Sequence, residues 1–289
     1  MGSPAGLSRA DWLAAAKRSF EEFRQDDCLG LSQQIAFSSL LAFFPAMAFV
    51  VGALGLFHLF DAVKRLLDPI APHGVISFIS GLQHDSNGGT SAAAFAIGLA
   101  GAVWAASGAM GATIKAVNAA YDREETRPIW KLRGLAIVLV VTSAVTTAGI
   151  FLLIVVGGSL GDAIAKKAGL GGAFTWTWGI LRWPVAFCAI LLLFGLVYNV
   201  APNIEQRRWK WVTPGSAIGG VLWLLLSALF AVYVAFAGHY TRTYGTLASG
   251  VILLLWLYYS AIALLYGAEL NSELDRQADI RAGSKRRVR

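Results

Sequence analysis

Among the polar side chains set in otherwise apolar stretches of this 289-residue chain, nine stand near the ends of those stretches: Gln33, Gln34, Ser38, Ser39, Lys115, Asn118, Asn199, Glu269 and Asn271. Amides and charged groups are costly in hydrocarbon, so residues of this kind face a bundle interior or a water-filled cavity. Together they offer chemistry for holding a polar ligand. Lys115 would attract an anionic group, and Glu269 would pair with that lysine or take a proton. Asn118, Asn199 and Asn271 would hydrogen-bond the ligand, with Gln33, Gln34 and Ser38 at the same level. A simpler reading competes, in which Lys115 snorkels toward headgroups and Glu269 is an interfacial carboxylate. A second cluster, His239, Tyr240, Arg242 and Tyr244, precedes Gly245. It suits either a phosphate or other anion or an aromatic and cationic anchor at the interface.

Catalytic chemistry finds no pattern here. The histidines, His58, His73, His84 and His239, form no H-x-H or H-E-x-x-H arrangement, and Cys28 and Cys188 lack metal-ligand spacing. Both cysteines are expected to be small buried hydrophobes. The chain has no G-x-x-x-x-G-K-[ST] loop, no G-x-S-x-G elbow and no paired carboxylates of the kind that hold a metal for nucleic-acid hydrolysis. No catalytic residue, metal or cofactor is expected, and no enzyme.

The elements that would position the polar residues follow from composition. Hydrophobic residues make up 56% of the chain and charged ones 14%, with mean hydropathy +0.60. An ordinary soluble domain has about 25% charged residues. Six runs carry no charge at all, at 28–60, 86–114, 134–161, 183–204, 211–241 and 243–268. Each exceeds the roughly 20 residues that a helix needs to cross hydrocarbon. The expected fold is all-α, with six transmembrane helices at about 33–57, 92–118, 134–158, 180–201, 214–238 and 246–271, plus interfacial amphipathic helices. Residues 1–32 read as an N-terminal amphipathic segment, 33–271 as the transmembrane domain and 272–289 as a basic tail.

Local signals refine this. Ser8 to Asp11 is a capping box ahead of Trp12, Ala16, Phe20 and Phe23 at helical spacing. That helix would lie in the interface or cap the loops. The first 27 residues contain no apolar signal-peptide core, so the first span is expected to direct its own insertion. Pro45 should kink that span. Val63, Leu66, Leu67 and Ile70, followed by the breakers Pro72 and Gly74, suggest a second interfacial pair or a small cap. Trp176, Trp178 and Trp183 suit an aromatic belt. Gly215 with Gly219, and Gly98 with Gly101 and Ala105, offer close helix contacts.

Counting Lys and Arg by side gives 18 against 6, which places both termini in the cytoplasm. The nine polar residues then fall at one cytoplasmic depth, as a vestibule would require. Arg281, Lys285, Arg286, Arg287 and Arg289 form a basic end that serves as a topology anchor or meets anionic lipid. The expected partners are membrane lipids, anionic at the cytoplasmic face, together with unidentified envelope proteins and a second copy of the chain. No specific nucleic acid is expected.

Five strings carry a resemblance: IAFSSLLAFFP at 35–45, NAAYDREETRPIWKLR at 118–133, YNVAPN at 198–203, W-x-x-PG at 211–215, and YGTLASGVILLLWLYYSA followed by GAELN within 244–271. From about Asp27 to Glu273 the chain resembles the YihY/BrkB family of bacterial inner-membrane proteins. Ser38 and Ser39 stand where members often have tyrosine, and Asn199 where a basic residue is common. The resemblance implies a multi-pass inner-membrane protein. The family's names come from serum resistance in virulence and from an old ribonuclease label. The expected function is a non-ATP-driven transporter or lipid-handling protein. A scaffold for envelope integrity is the alternative, and a membrane-bound ribonuclease ranks last.

Overall fold

The computed structural model describes residues 7–67, 73–86, 91–169, 171–204, 211–236 and 246–287. Ten helices account for the regular structure among them: α1 Arg9–Gln25, α2 Cys28–Leu56, α3 Phe60–Leu67, α4 His73–Ser86, α5 Ser91–Ala120, α6 Ile129–Val155, α7 Gly157–Ala168, α8 Gly171–Val200, α9 Pro214–Phe236 and α10 Thr246–Arg287. Six of them, α2, α5, α6, α8, α9 and α10, are long and apolar enough to cross a membrane. Large apolar side chains such as Val145, Leu229 and Phe236 are exposed on these helices, while Ala, Gly and Ser fill buried positions. That inversion suits a protein whose solvent is lipid, because close backbone approach replaces the hydrophobic effect between helices.

The chain forms two compact units. One comprises Met1–Leu40, Met110–Leu139 and Ile190–Arg289; the other comprises Leu41–Ala109 and Val140–Ala189. Helices α9 and α10 lie wholly in the first, α3, α4 and α7 in the second, and α2, α5, α6 and α8 run through both.

In the first unit, α9 and α10 meet at glycines. A Cβ at Gly215 would collide with the carbonyl of Gly267 and with Asn271, and one at Gly267 would strike Tyr198. The buried Tyr198 hydroxyl donates to the Leu264 carbonyl at 2.7 Å. Gly219, one turn further, would place a Cβ 3.0 Å from the Ala263 carbonyl. The glycine pair singled out in the sequence therefore sets the α9–α10 contact.

Helix α1 opens with the expected capping box, Ser8 and Asp11 each bonding the other's backbone. Its buried face is Ala15, Ser19 and Phe23, with Trp12 half-buried; Ala16 and Phe20 are exposed. This differs from the expected Trp12, Ala16, Phe20 stripe because α10 covers the neighbouring face. Ala15 packs with Leu270 and Leu274, Phe23 meets Tyr266 edge-on at 6.0 Å, and the Ser19 hydroxyl satisfies itself on the Ala16 carbonyl. Charges fasten the same contact: Arg18 lies 3.3 Å and Arg276 3.2 Å from Glu273, and Arg281 pairs with Asp11 at 2.6 Å. The Ser8 bonds first, and Arg281 as well, hold the Asp11 carboxyl below its ordinary range. The segment expected as a tail is thus helical from Ser272 to Arg287, continuous with the last span.

In the second unit, α2 and α5 pack through Gly52 and Gly98, whose added Cβ atoms would each come within 2.9 Å of the facing backbone. Helix α2 continues through Pro45, whose ring lies against Gly101. The expected third span, 134–158, instead begins at Ile129 and ends at Val155. Pro128 starts it by accepting the Lys131 and Leu132 amides, so Lys131 and Arg133 sit inside the first turns. At the Val156 break the Trp178 indole donates to the Gly157 carbonyl at 2.5 Å, and Arg182 donates to the Ile154 carbonyl at 3.2 Å. Trp178 therefore serves the break rather than a belt, whereas Trp176 and Trp183 are exposed. Helix α8 already begins at Gly171, ahead of the expected 180. Cys188 is exposed on α8, a correction to its expected burial: a small apolar side chain costs nothing on a lipid-facing surface. Helices α3 and α4 are joined by Lys64, which reaches both Gln83 at 2.6 Å and Asp61 at 3.0 Å. Gly74 lies within the first turn of α4 instead of ending a helix.

Gly215→Ala is expected to destabilise the protein by about 1–3 kcal/mol through overpacking, read as a lowered melting temperature in detergent. Gly250→Ala, on α10 with open space around it, should be neutral or slightly stabilising. Equal melting temperatures for the two variants would contradict the close contact.

Candidate functional site

Three polar assemblies organise the first unit. The strongest centres on Asn118, which is 2% exposed near the end of α5. Its amide nitrogen donates to Glu125 at 2.9 Å, and its oxygen accepts the Asn203 backbone amide at 2.7 Å. Arg127 grips Glu125 with two nitrogens, at 2.8 and 2.6 Å, and donates to the Ala201 carbonyl at 2.7 Å. Asn203 returns bonds to the Glu124 carbonyl and the Thr126 hydroxyl. The α5–α6 and α8–α9 loops are thus clamped to each other by side chains from both. A bidentate arginine–carboxylate pair is geometrically specific as well as strong.

Asn271, 4% exposed, makes the second assembly. It accepts the Gly215 amide and donates to the Thr213 hydroxyl, both at 2.8 Å. Thr213 and Ser216 cap the first turn of α9 reciprocally. The freed amides of α9 are therefore satisfied by α10 and by the cap itself.

The third assembly surrounds Glu269, 2% exposed, which accepts the Cys28 thiol at 3.3 Å. Asp26, Asp122 and Glu22 are within electrostatic reach. Burial, reinforced by the Asp122 and Glu22 charges, raises the Asp26 carboxyl above its ordinary range.

The expected site residues therefore separate. Asn118 and Asn271 brace helix ends, and half-buried Asn199 donates to its own helix at Gly195, 2.6 Å. Ser38 is half-buried; Gln33, Gln34 and Lys115 are exposed. Glu269 is held by Cys28 rather than by Lys115. The outer cluster of His239, Tyr240, Arg242 and Tyr244 lies outside the described residues.

A cleft of about 400 Å³ lies beside these assemblies. The α5–α6 loop supplies Tyr121, Asp122 and Arg123, the α8–α9 loop supplies Ile204, and α10 supplies Ser272, Asp275, Arg276, Asp279 and Ile280. The spacing 272, 275, 276, 279 is one face of a helix. Asp122 is fixed by the end of α5, where Asp122 and Arg123 amides return to the Ala119 and Asn118 carbonyls. That closure puts Asp122 at φ 51°, the left-handed position that glycine usually fills. Sequence reading missed the cleft because its acids and bases looked like ordinary solvated helix charges. The signal was present as an Asp–Arg–Asp stripe on a helix whose other side carries Leu270 and Leu274. Among the described residues, no group of three His, Cys, Asp or Glu side chains could hold a metal ion.

The Arg127 bonds first, with help from Asn118, hold the Glu125 carboxyl below its ordinary range. A depressed value means that the ionised form stabilises the fold. That contribution is complete above about pH 4.3, the ordinary glutamate value, and disappears as pH falls through the lowered one. Hydrogen-exchange protection of residues 121–128 is expected to hold from pH 7 to 5 and to fall below about pH 4. In Glu125→Gln it should already be reduced at pH 7; protection equal to wild type there would remove the clamp from the argument.

Comparison with known proteins agrees with this architecture. Residues 19–289 match the family described as Virulence factor BrkB. A ribonuclease-like protein, YfkH, of Bacillus subtilis (strain 168) is 28% identical over 266 residues, covering 92% of this chain and 96% of its own. A UPF0761 membrane protein of Aeromonas salmonicida (strain A449) is 25% identical over 284 residues, covering 93% and 91%. No solved structure matches. With six helices able to cross a membrane and a match over nearly its whole length, the chain belongs to the Virulence factor BrkB family of membrane proteins.

Proposed function

We propose that this protein handles lipid at the cytoplasmic face of the bacterial inner membrane, holding a headgroup in the charged cleft while its spans remain in the bilayer. The observation that carries this reading is the cleft itself. Its volume falls within the range of about 300–1,000 Å³ usual for small-molecule sites. Its loop wall leads directly into residues suited to the headgroup layer: Ile129 and Trp130 are 79% and 70% exposed at the start of α6, with Lys131 over the Trp130 ring at 5.2 Å. The clamped loops give the cleft a rigid wall, and the continuous α10 supplies the other. Sidedness follows the Lys and Arg count, with both termini cytoplasmic. The vestibule expected from the sequence is replaced in this reading by a cleft one to three turns further along α10.

Native mass spectrometry of purified protein should detect retained phospholipid. Retention is expected to fall several-fold in Arg123→Gln and to stay unchanged in Lys115→Gln, whose side chain is exposed away from the cleft lining. Protein that retains no lipid, or loses it equally in both variants, would overturn the reading.

A further inference from the structure

The proposed lipid site has an unusual charge composition: two arginines, Arg123 and Arg276, stand among three aspartates, Asp122, Asp275 and Asp279. A site built for a purely anionic headgroup would pay for those carboxylates in repulsion. A site for a simple cation would pay for the guanidinium groups. A ligand that carries both signs a few bonds apart finds a counterpart for each, beside the contacts these side chains already make within the protein. Resting on the reading of the cleft as a headgroup site, we infer that it selects a zwitterionic amine-and-phosphate group, with the phosphate on the Arg123 side and a primary ammonium against the Asp275 and Asp279 carboxylates.

Three features carry this. Asp275 and Asp279 stand at i and i+4 on one face of α10 and both line the cleft, so an ammonium there has carboxylates from adjacent turns beside it. An ammonium offers three donors and no acceptor, a match for carboxylates, whereas a guanidinium fork matches phosphate oxygens. Asp122 enters from the opposite wall at a backbone position where aspartate is less at ease than glycine, and its carboxylate lines the same cleft. Ile204 and Ile280 add apolar surface suited to the glycerol end of a lipid. Arg276 also reaches Glu273 and Glu22 toward α1, so its position is set by the α1–α10 contact.

The test compares phospholipids with identical acyl chains presented to wild-type protein in detergent micelles, with retention read by native mass spectrometry. Phosphatidylethanolamine is expected to bind about ten-fold more tightly than phosphatidylglycerol or phosphatidylcholine, the size of effect that a charge-assisted hydrogen bond supports. Phosphatidylcholine keeps the positive charge but has no N–H to donate, so it separates hydrogen bonding from charge alone. The double variant Asp275→Asn with Asp279→Asn should lose the preference while still retaining phosphatidylglycerol. Because the comparison among lipids uses wild-type protein, a variant that fails to fold leaves it intact.

Phosphatidylglycerol binding as well as phosphatidylethanolamine would overturn the inference and leave the lipid reading standing. No lipid bound at all would overturn both. Soluble phosphoethanolamine competing at equal concentration with the lipid would support the amine-and-phosphate chemistry and assign it to a free metabolite, overturning the lipid source.

Discussion

A backbone that ends or breaks a helix close to hydrocarbon leaves amides and carbonyls with no water to bond, and each unsatisfied group costs several kcal/mol in that medium. Much of the described polar chemistry in this protein answers that demand. Asn271 and Thr213 take the free amides of α9, Asn118 takes the Asn203 amide of the α8–α9 loop, and Arg127 donates to the Ala201 carbonyl at its start. Trp178 and Arg182 take the carbonyls released at the Val156 break. Three side chains that look like ligand-binding groups in the sequence, Asn118, Asn199 and Asn271, bond backbone groups in the structure. What remains after that demand is met is the cleft along α10 and the buried Glu269 beside it.

How much of this was legible in the sequence depends on what each residue is bonded to. The spans were legible because absence of charge is a local property. Their ends were less so: charge marked Arg133 as the boundary of a span expected from 134, yet the helix starts at Ile129, where Pro128 accepts the first amides. The Gly215–Gly219 contact was visible as spacing. Asn118 and Asn271 were rightly noticed as residues with polar work to do near helix ends, but spacing contains no information about partners 85 and 56 positions away. The cleft was hidden for the opposite reason. Asp275, Arg276 and Asp279 are unremarkable on a solvated helix, and only the second wall, from Tyr121 to Arg123, makes them face something.

The family match and the geometry bear on different questions. Membership in the BrkB family covers residues 19–289 and fixes the kind of molecule. A ribonuclease-like name attached to a relative at 28% identity says nothing about this chain's own groups. Those groups present mixed charge along the α10 cleft, and it is on this lining that the proposed headgroup site rests.

Helix α10 has one more consequence. Its 42 residues amount to about 63 Å at 1.5 Å per residue, roughly twice the thickness of the hydrocarbon. A charged segment such as 272–287 would be a marginal helix in isolation, because it would have to nucleate its own first turn at a Zimm–Bragg cost of roughly a thousandfold. Here the span supplies the nucleus and the segment only propagates. The face that docks α1 and the face that lines the cleft are therefore both by-products of insertion. Without the span ahead of it, the segment would have to order both faces at the full nucleation cost.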